Sequence, residues 1–184
     1  MLLEEGGKAM GVDKIDLQAL FTLSYGLYIV TGTHDGKMNG QIANALMQVT
    51  ADPICLVAAL HKDNLTTELV EKGKAFGVSV LEEDTPMTFI GTFGFKCGRD
   101  IDKMCQCQYK IGETGVPLVL DHSLAVIEAK VIDVIPVYTH KLFVAEVVSA
   151  ETLKSGTALT YANYRLIKGG KSPKNAPTFV FNKA

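Results

Sequence analysis

The sequence lacks tryptophan and has only two arginines among its 184 residues, Arg99 and Arg165, with no run of basic residues. Because Lys and Arg neutralise phosphates in nucleic-acid complexes, this scarcity disfavours a nucleic-acid partner. The net charge of −2 and the pI near 6.1 point the same way. Disorder is also excluded, because 47% of the residues are apolar and the charges nearly balance.

Long hydrophobic runs are missing as well. Apolar stretches such as Ile54 to Leu60 are too short to span a bilayer, and the opening MLLEEGGKAMG lacks the basic start and apolar core of a secretory signal. We therefore expect a cytoplasmic protein with no membrane span. The mean hydropathy of +0.18 is nevertheless high, so the apolar surplus belongs in core strands, a subunit interface or a cofactor pocket.

The sequence contains none of the common catalytic or metal-binding motifs. The four cysteines form no CxxC pair, and Cys97, Cys105 and Cys107 do not have a standard zinc spacing. We therefore expect no metal, and reduced cysteines that pack as small side chains. Residues 32–37 (GTHDGK) lack the spacing of a phosphate-binding loop and predict a hairpin turn instead. No residue spacing singles out a hydrolase site.

The order of the predicted elements favours a mainly β fold with inserted helices. Helices are predicted from Asp13 to Leu23, from Leu65 to Lys72 and from Thr85-Pro86 to near Gly94. Apolar and β-branched runs predict strands at 25–31, 39–50, 53–61, 76–81, 117–120, 124–135 and 141–148. Because these strands do not alternate regularly with helices, a closed antiparallel barrel is favoured over a doubly wound sheet.

Three parts of the chain are distinguished by composition and pattern. Residues 1–12 form an N-terminal extension, residues 13–167 form the barrel domain, and residues 168–184 form a C-terminal arm. The arm contains Gly169, Gly170, Pro173 and Pro177, which favour an extended segment or a linker.

Residues 39–50 form a predicted strand that is unusually rich in amides for so apolar a chain. Gln41, Asn44 and Gln48 need hydrogen-bond partners if they are buried. The next strand ends at HKDNLTT, where a helix N-terminus, Lys62 and neighbouring Asn and Thr donors favour an anion. A polar strand beside a phosphate-type site fits flavin mononucleotide (FMN). The alternative is that Asn64 and Thr66 only cap the helix.

Several segments, in order, resemble the flavin reductase-like family, the FMN-binding split barrels. The matching segments are SYGLYIVTG, NGQIANALMQVT, HKDNLTTELV, FGVSVLEEDTPMTFIGTFGFKCGRDIDK, VPLVLDHSLAVIEAKV, THKLFVAEVV and LTYANYRLIKGGKSP. They are most similar to the branch that holds archaeal ferric reductase, flavoredoxin and the flavin domain of high-molecular-weight rubredoxin. The resemblance implies an antiparallel six-stranded split β-barrel, a homodimer and bound FMN.

The resemblance also implies roles for individual residues. The residues expected along the ribityl chain and pyrimidine edge of the flavin are Asn39, Gly40, Gln41, Ile42, Ala43 and Asn44. Those expected to present backbone groups to the ring are Gln48, Val49 and Thr50, and those expected at the phosphate are Lys62, Asn64, Thr66 and Thr67. Phe95 would close over the ring or reach across the dimer.

His140 is the candidate catalytic residue. By the same resemblance it lies near the flavin face, where a nicotinamide or an acceptor approaches; the alternative is an ordinary turn histidine. Ala59 stands where some ferric-reductase-like relatives carry a cysteine, which weighs against an iron site built from Cys and His.

The expected reaction is hydride transfer from NAD(P)H to flavin N5, followed by electron transfer to ferric iron, a flavin or a redox protein. The main alternative is a flavoredoxin-type carrier that exchanges electrons with a protein partner, such as a rubredoxin-like protein, without nicotinamide turnover. A third alternative is a binding module without turnover. The sequence does not distinguish NADH from NADPH, and it does not show whether FMN is a prosthetic group or a substrate.

Overall fold

The computed structural model describes residues 16–180, which form nine strands, four α-helices and one short 3-10 helix at Met104–Gln106. The strands are β1 (Tyr28–His34), β2 (Lys37–Ala43), β3 (Leu46–Ala51), β4 (Ile54–His61), β5 (Ala75–Leu81), β6 (Tyr109–Ile111), β7 (Pro117–Val119), β8 (Ser123–Val137) and β9 (His140–Thr152). The helices are α1 (Leu17–Leu20), α2 (Leu65–Gly73), α3 (Met87–Phe95) and α4 (Tyr161–Leu166). The expected extension at residues 1–12 lies outside the described residues.

Seven strands form one antiparallel sheet in the order β2-β1-β5-β8-β9-β4-β3, and β6 and β7 form a separate ribbon. The prediction of a mainly β, antiparallel fold is therefore confirmed. The sheet has seven strands where six were expected, because residues 39–50 do not form a single strand. Pairing with β1 ends at Ala43, and pairing with β4 begins at Leu46.

The break between β2 and β3 explains why the sheet closes. Ala43 and Leu46 lie on opposite edge strands, although only Asn44 and Ala45 separate them. Such a link spans at most about 10 Å, whereas the edges of a flat seven-stranded sheet would lie roughly 29 Å apart. The sheet therefore curls until its edges approach each other, which gives a barrel split between β2 and β3.

One apolar cluster fills the barrel interior. Its buried members come from six strands and α2, and Leu46 of β3 packs against them. They are Val30, Ala43, Leu56, Ala58, Leu60, Val70, Phe76, Val78, Ala129, Phe143 and Ala145. Because side chains alternate along each strand, the same strands turn their other faces outward.

Helix α2 packs closely on β1, and this contact positions its N-terminus. A Cβ at Gly32 would lie 2.8 Å from Val70 Cγ2, and one at Gly73 would lie 2.1 Å from the Thr33 carbonyl oxygen. The two glycines therefore allow the close approach. A second apolar cluster joins α3 and α4 to β1 through residues such as Ile29, Phe93 and Tyr164.

Local predictions were confirmed to different degrees. The hairpin at residues 33–37 is confirmed, with Asp35 and Gly36 both at positive φ, as a two-residue turn requires. Helix α1 is shorter than the expected 13–23 and has Asp16 as its N-cap. Helix α3 follows the predicted start, although Pro86 is the N-cap rather than the first helical residue.

The helices of residues 16–180 are short, with nine residues in each of α2 and α3. None of them has the length and apolar character needed to cross a membrane.

Candidate functional site

A cavity of about 350 Å³ opens beside the barrel. Its walls are β2, the first turn of α2, the end of α3 with the loop that follows, and residues 171–178 of the C-terminal segment. The volume lies in the range of about 300–1,000 Å³ that is typical of small-molecule sites.

Most of the sequence-predicted site residues meet at this cavity. Those in its lining are Asn39, Gln41, Ile42, Ala43, Asn44, Asn64, Thr66, Phe95 and His140. The others, Gly40, Gln48, Val49, Thr50, Lys62 and Thr67, are outside the lining. Of these, residues 48–50 lie exposed on β3, Lys62 is exposed in the turn after β4, and Thr67 is buried in α2.

The N-terminus of α2 has no side-chain cap, so its first-turn N–H groups are free to meet a ligand. Asn64 Oδ1 instead accepts a 2.8 Å hydrogen bond from Asn175 Nδ2. Thr66 Oγ1 accepts a 2.8 Å bond from Asn39 Nδ2, which ties β2 to the helix. Asn64 is thus the N-cap residue by position, but neither its side chain nor that of Thr66 makes a capping bond to the helix.

The amide side chains of Gln41 in β2 and of Asn44, which directly follows it, have few protein partners. Gln41 Oε1 is buried without a hydrogen-bond partner among the described residues. Asn44 is buried, and its Nδ2 donates a long bond of 3.4 Å to Thr178 Oγ1. Because buried polar atoms are normally paired, the free oxygen of Gln41 indicates a place for a ligand donor.

The cavity is strongly cationic, although the chain as a whole carries a net charge of −2. Five basic side chains line it (Lys96, Arg99, Lys103, Lys171 and Lys174), against one carboxylate, Asp63. Arg99 lies across the start of α2, with Nη2 3.0 Å from Glu68 Oε2 and Nη1 3.5 Å from the Asp63 carbonyl oxygen. This concentration of positive charge favours an anionic ligand.

Two histidines form part of the cavity wall. The rings of His61 and His140 meet edge to face, with their centroids 5.1 Å apart and an interplanar angle of 80°. Burial and the neighbouring His61 lower the pKa of His140, against a weaker opposing effect of the Asn175 backbone. His140 is therefore neutral at pH 7 and can accept or donate a hydrogen bond at the cavity surface.

The C-terminal segment folds back over the cavity. Tyr164 Oη donates a 2.8 Å bond to the Lys171 carbonyl oxygen, and the Tyr161 hydroxyl bonds to Ser172. Beyond these contacts, Asn175 reaches Asn64 and Thr178 reaches Asn44. The segment expected to be an extended arm thus contributes one wall of the site.

Sequence reasoning missed several lining residues. Arg99 was visible as one of only two arginines, in a glycine-punctuated loop that borders the site. No local pattern indicates that Lys103 is buried or that His61 faces the cavity. The packing role expected for the cysteines holds for buried Cys55, whereas Cys97 and Cys105 are exposed.

The described residues contain no group of three or more His, Cys, Asp and Glu side chains placed to hold a metal ion. Cys97, Cys105 and Cys107 are free thiols. Burial raises the pKa of the Cys107 thiol to about 11, which makes it an unreactive thiol at neutral pH.

Together these features define a split-barrel protein with a cationic ligand cavity at a helix N-terminus. Residues 20–170 match the family described as "Flavin reductase like domain", and the chain belongs to this family. The predicted membership, and with it the class of flavin-linked oxidoreductase, is confirmed.

Two relatives align with nearly the whole chain. The ferric-chelate reductase (NAD(P)H) of Archaeoglobus fulgidus is 49% identical over 169 residues, which cover 92% of this chain and 100% of the relative. The high molecular weight rubredoxin of Moorella thermoacetica is 42% identical over 169 residues, which cover 92% of this chain and 74% of the relative.

A solved structure supports the fold. The NADH:FAD oxidoreductase of Streptomyces globisporus superposes with a TM-score of 0.72 at 21% identity, covering 80% of this chain and 87% of that one. At this identity the likeness concerns the fold alone, and it confirms the split-barrel architecture.

Proposed function

We propose that this protein is an FMN-binding, NAD(P)H-dependent oxidoreductase that passes electrons to ferric iron, a flavin or a redox protein. The observation that carries the proposal is the cationic cavity of about 350 Å³ at the uncapped start of α2. The name of the Archaeoglobus fulgidus relative, ferric-chelate reductase (NAD(P)H), supports the donor and favours ferric iron as one acceptor.

The residues present fit a flavin mononucleotide. The helix N-terminus and Arg99 offer donors and positive charge for a phosphate, as do Asn64 and Thr66. The unpaired oxygen of Gln41 is an acceptor for an N–H group such as that of the flavin pyrimidine ring. Apolar walls at Ile42 and Phe95 suit the faces of an aromatic ring.

A bound flavin would supply the redox chemistry, accepting two electrons from a nicotinamide and releasing them to an acceptor. The side chains of this protein would bind and orient it. Lys62 and Thr67, which complete the phosphate set implied by the sequence, lie on either side of the lining residues Asn64 and Thr66. Neutral His140, in the cavity wall, would orient the incoming donor or acceptor by a hydrogen bond.

A homodimer is part of the proposal because one outer face of the barrel is apolar. The large apolar side chains exposed on β3, β4, β8 and β9 are Met47, Val49, Ile54, Ile132, Ile135, Val137 and Val148. Large apolar side chains exposed on four neighbouring strands, β8-β9-β4-β3, favour a subunit interface. Gln48, Val49 and Thr50 are exposed on β3, so a second copy bound beside this strand would lie near residues that the family resemblance implies for the flavin site.

An electron carrier without nicotinamide turnover is the second candidate. The Moorella thermoacetica relative is named a rubredoxin, and about a quarter of its length lies beyond the matched region, since the match covers 74% of it. The basic rim of the cavity, with Lys96, Lys171 and Lys174, would complement an acidic redox protein docked over the site.

Anaerobic mixing with NADH and with NADPH separates the two candidates. We expect the FMN-loaded protein to lose its visible flavin absorbance when mixed with at least one nicotinamide. If neither nicotinamide at saturating concentration reduces the flavin, while a reduced rubredoxin does so rapidly, the carrier function replaces the enzyme.

A further inference from the structure

Lys103 and Glu128 are the two charged side chains that are buried among residues 16–180, at 3% and 1% exposure. The Glu128 carboxylate has hydrogen-bond donors from the protein: it accepts bonds from the Glu113 N–H at 2.9 Å and from the N–H and hydroxyl of Thr114. Lys103 has no comparable partner of opposite charge, because no carboxylate of the described residues lies within ion-pair distance of it.

The ammonium of Lys103 is only partly satisfied by the protein. It donates to the carbonyl oxygens of Gly40 at 3.1 Å and Phe93 at 3.2 Å, which leaves one of its three N–H donors. Burial lowers the pKa of Lys103 to about 8, so the group is still mostly charged at pH 7. A buried cation without a counter-ion is costly, and an anionic ligand would remove that cost.

Lys103 lies at the end of the cavity where other anion-binding features converge. Its acceptor Gly40 adjoins Asn39, which bonds to Thr66 in the first turn of α2. The loop that carries Arg99 packs against Asn39 as well, since a Cβ at Gly98 would lie 2.2 Å from Asn39 Oδ1. The side chains of Lys103 and Arg99 both line the cavity.

We propose that Lys103 is a phosphate-binding residue of the cofactor site, whose buried ammonium pairs with the phosphate of FMN alongside Arg99 and the start of α2. The assignment rests on the proposed function, since it requires FMN in this cavity. It adds a cation that the carbonyl oxygens of Gly40 and Phe93 hold in place, so that the side chain loses little freedom when the ligand binds.

Two other roles for Lys103 make different predictions. As a purely structural link, it would only join β2 to the last turn of α3 through Gly40 and Phe93. As a neighbour of the flavin ring, it would stabilise the reduced, anionic ring and raise the reduction potential. Only phosphate pairing distinguishes FMN from riboflavin, which has the same ring and lacks the phosphate.

The test compares the affinity of FMN and riboflavin for the unmodified protein and for Lys103→Met, which keeps the length of the side chain and removes its charge. We expect Lys103→Met to weaken FMN binding by about 10- to 100-fold, the usual weight of a charge-assisted hydrogen bond, and to change riboflavin binding by less than about threefold. Lys103→Gln, which retains donors for the two carbonyls, should show the same selective loss. Lys130→Met, on the exposed part of β8, is the matched control.

Each remaining outcome overturns the assignment. Equal losses for FMN and riboflavin, together with a lower thermal midpoint of the apoprotein, would indicate the structural link. An unchanged FMN affinity with a lower reduction potential of the bound flavin would place Lys103 at the ring. If the unmodified protein binds neither FMN nor riboflavin, the proposed function itself fails, and this result is distinct from the failure of Lys103 alone.

Discussion

Asn175 Nδ2 donates a 2.8 Å hydrogen bond to Asn64 Oδ1, so the C-terminal segment is fastened to the N-cap residue of α2 at the mouth of the cavity. The same segment bonds through Thr178 to Asn44, which directly follows β2. These two links join the wall formed by residues 171–178 to the two elements that line the expected phosphate and ribityl ends of the site.

The Asn175–Asn64 bond predicts that the C-terminal segment slows cofactor release. We expect Asn175→Ala to increase the FMN dissociation rate by about fivefold, the effect of losing one neutral hydrogen bond, with little change in association. The rate can be measured by trapping released FMN with an excess of a flavin-binding protein. Lys168→Ala, in the same segment but outside the lining, should leave the rate unchanged, and an unchanged rate for Asn175→Ala would show that the segment does not retain the cofactor.

Arg99 and Lys62 offer a direct comparison of two candidate phosphate ligands. Arg99 lines the cavity beside Glu68, whereas Lys62 is exposed in the turn before α2. We expect Arg99→Ala to weaken FMN binding by roughly tenfold or more and Lys62→Ala to weaken it less, because the Arg99 side chain lines the cavity and that of Lys62 does not. Calorimetric titration of each apoprotein with FMN gives both values. A larger loss for Lys62→Ala would show that the phosphate lies on the outer side of the helix start.

His140 should affect electron entry more than cofactor affinity. We expect His140→Ala to lower the rate of flavin reduction by nicotinamide about tenfold or more while FMN affinity changes little, since the ring lies in the cavity wall. Because burial and the neighbouring His61 hold the pKa of His140 below its ordinary value, its protonation should lower the rate only in acidic solution. His34→Ala, in the hairpin between β1 and β2, is the control. An unchanged reduction rate in His140→Ala would assign the ring an ordinary structural role.

The buried Lys103 should leave a signature in the pH dependence of apoprotein stability. Its pKa falls from 10.5 to about 8 on folding, so between these values the unfolded chain holds a proton that the folded chain has lost. The free energy of unfolding therefore gains a contribution that rises with pH across this window, on the order of 3 kcal/mol in all, and Lys103→Met should lack it.

Cys107 acts in the opposite direction, because its pKa rises from 9.0 to about 11 on folding and its contribution to stability falls as the pH rises. The unmodified protein and Lys103→Met both contain Cys107. The difference between their free energies of unfolding in urea therefore gives the contribution of Lys103 alone. Parallel profiles from pH 7 to pH 10 would show that Lys103 is not held as a buried cation.

The apolar face of the barrel predicts self-association. We expect Ile132→Lys, on a residue of β8 that is 59% exposed, to convert a dimer into a monomer, as measured by light scattering. Ile111→Lys, at a similarly exposed site on β6, should leave the dimer intact. A monomer for the unmodified protein, or a dimer that survives Ile132→Lys, would remove this face from the interface.

Local patterns were enough to predict most of the strands, the hairpin and the helix that carries the expected phosphate site, although β6 was missed and β2 and β3 were predicted as one strand. Asp35-Gly36 requires a tight turn, and the Leu65 helix begins where predicted because its start signals lie within a few residues. The family resemblance then placed the segment 39–44 at the cofactor, and most of it lines the cavity.

Long-range features could not be read from the same patterns. The break at Asn44-Ala45 lies between two good strand sequences, and barrel closure rather than local propensity decides it. Arg99 and Lys103 enter the site only because the loop after α3 folds back on Asn39. The position of Asn175 likewise depends on the return of the C-terminal segment across the cavity.

Titration of the apoprotein with FMN, followed by the quenching of flavin fluorescence and by identification of the retained flavin, tests the central proposal most directly. We predict saturable binding of one FMN per chain, with riboflavin bound much more weakly because the cationic end of the cavity has no phosphate to hold. Absence of saturable FMN binding, or equal affinity for FMN and riboflavin, would contradict the assignment of this cavity as the FMN site.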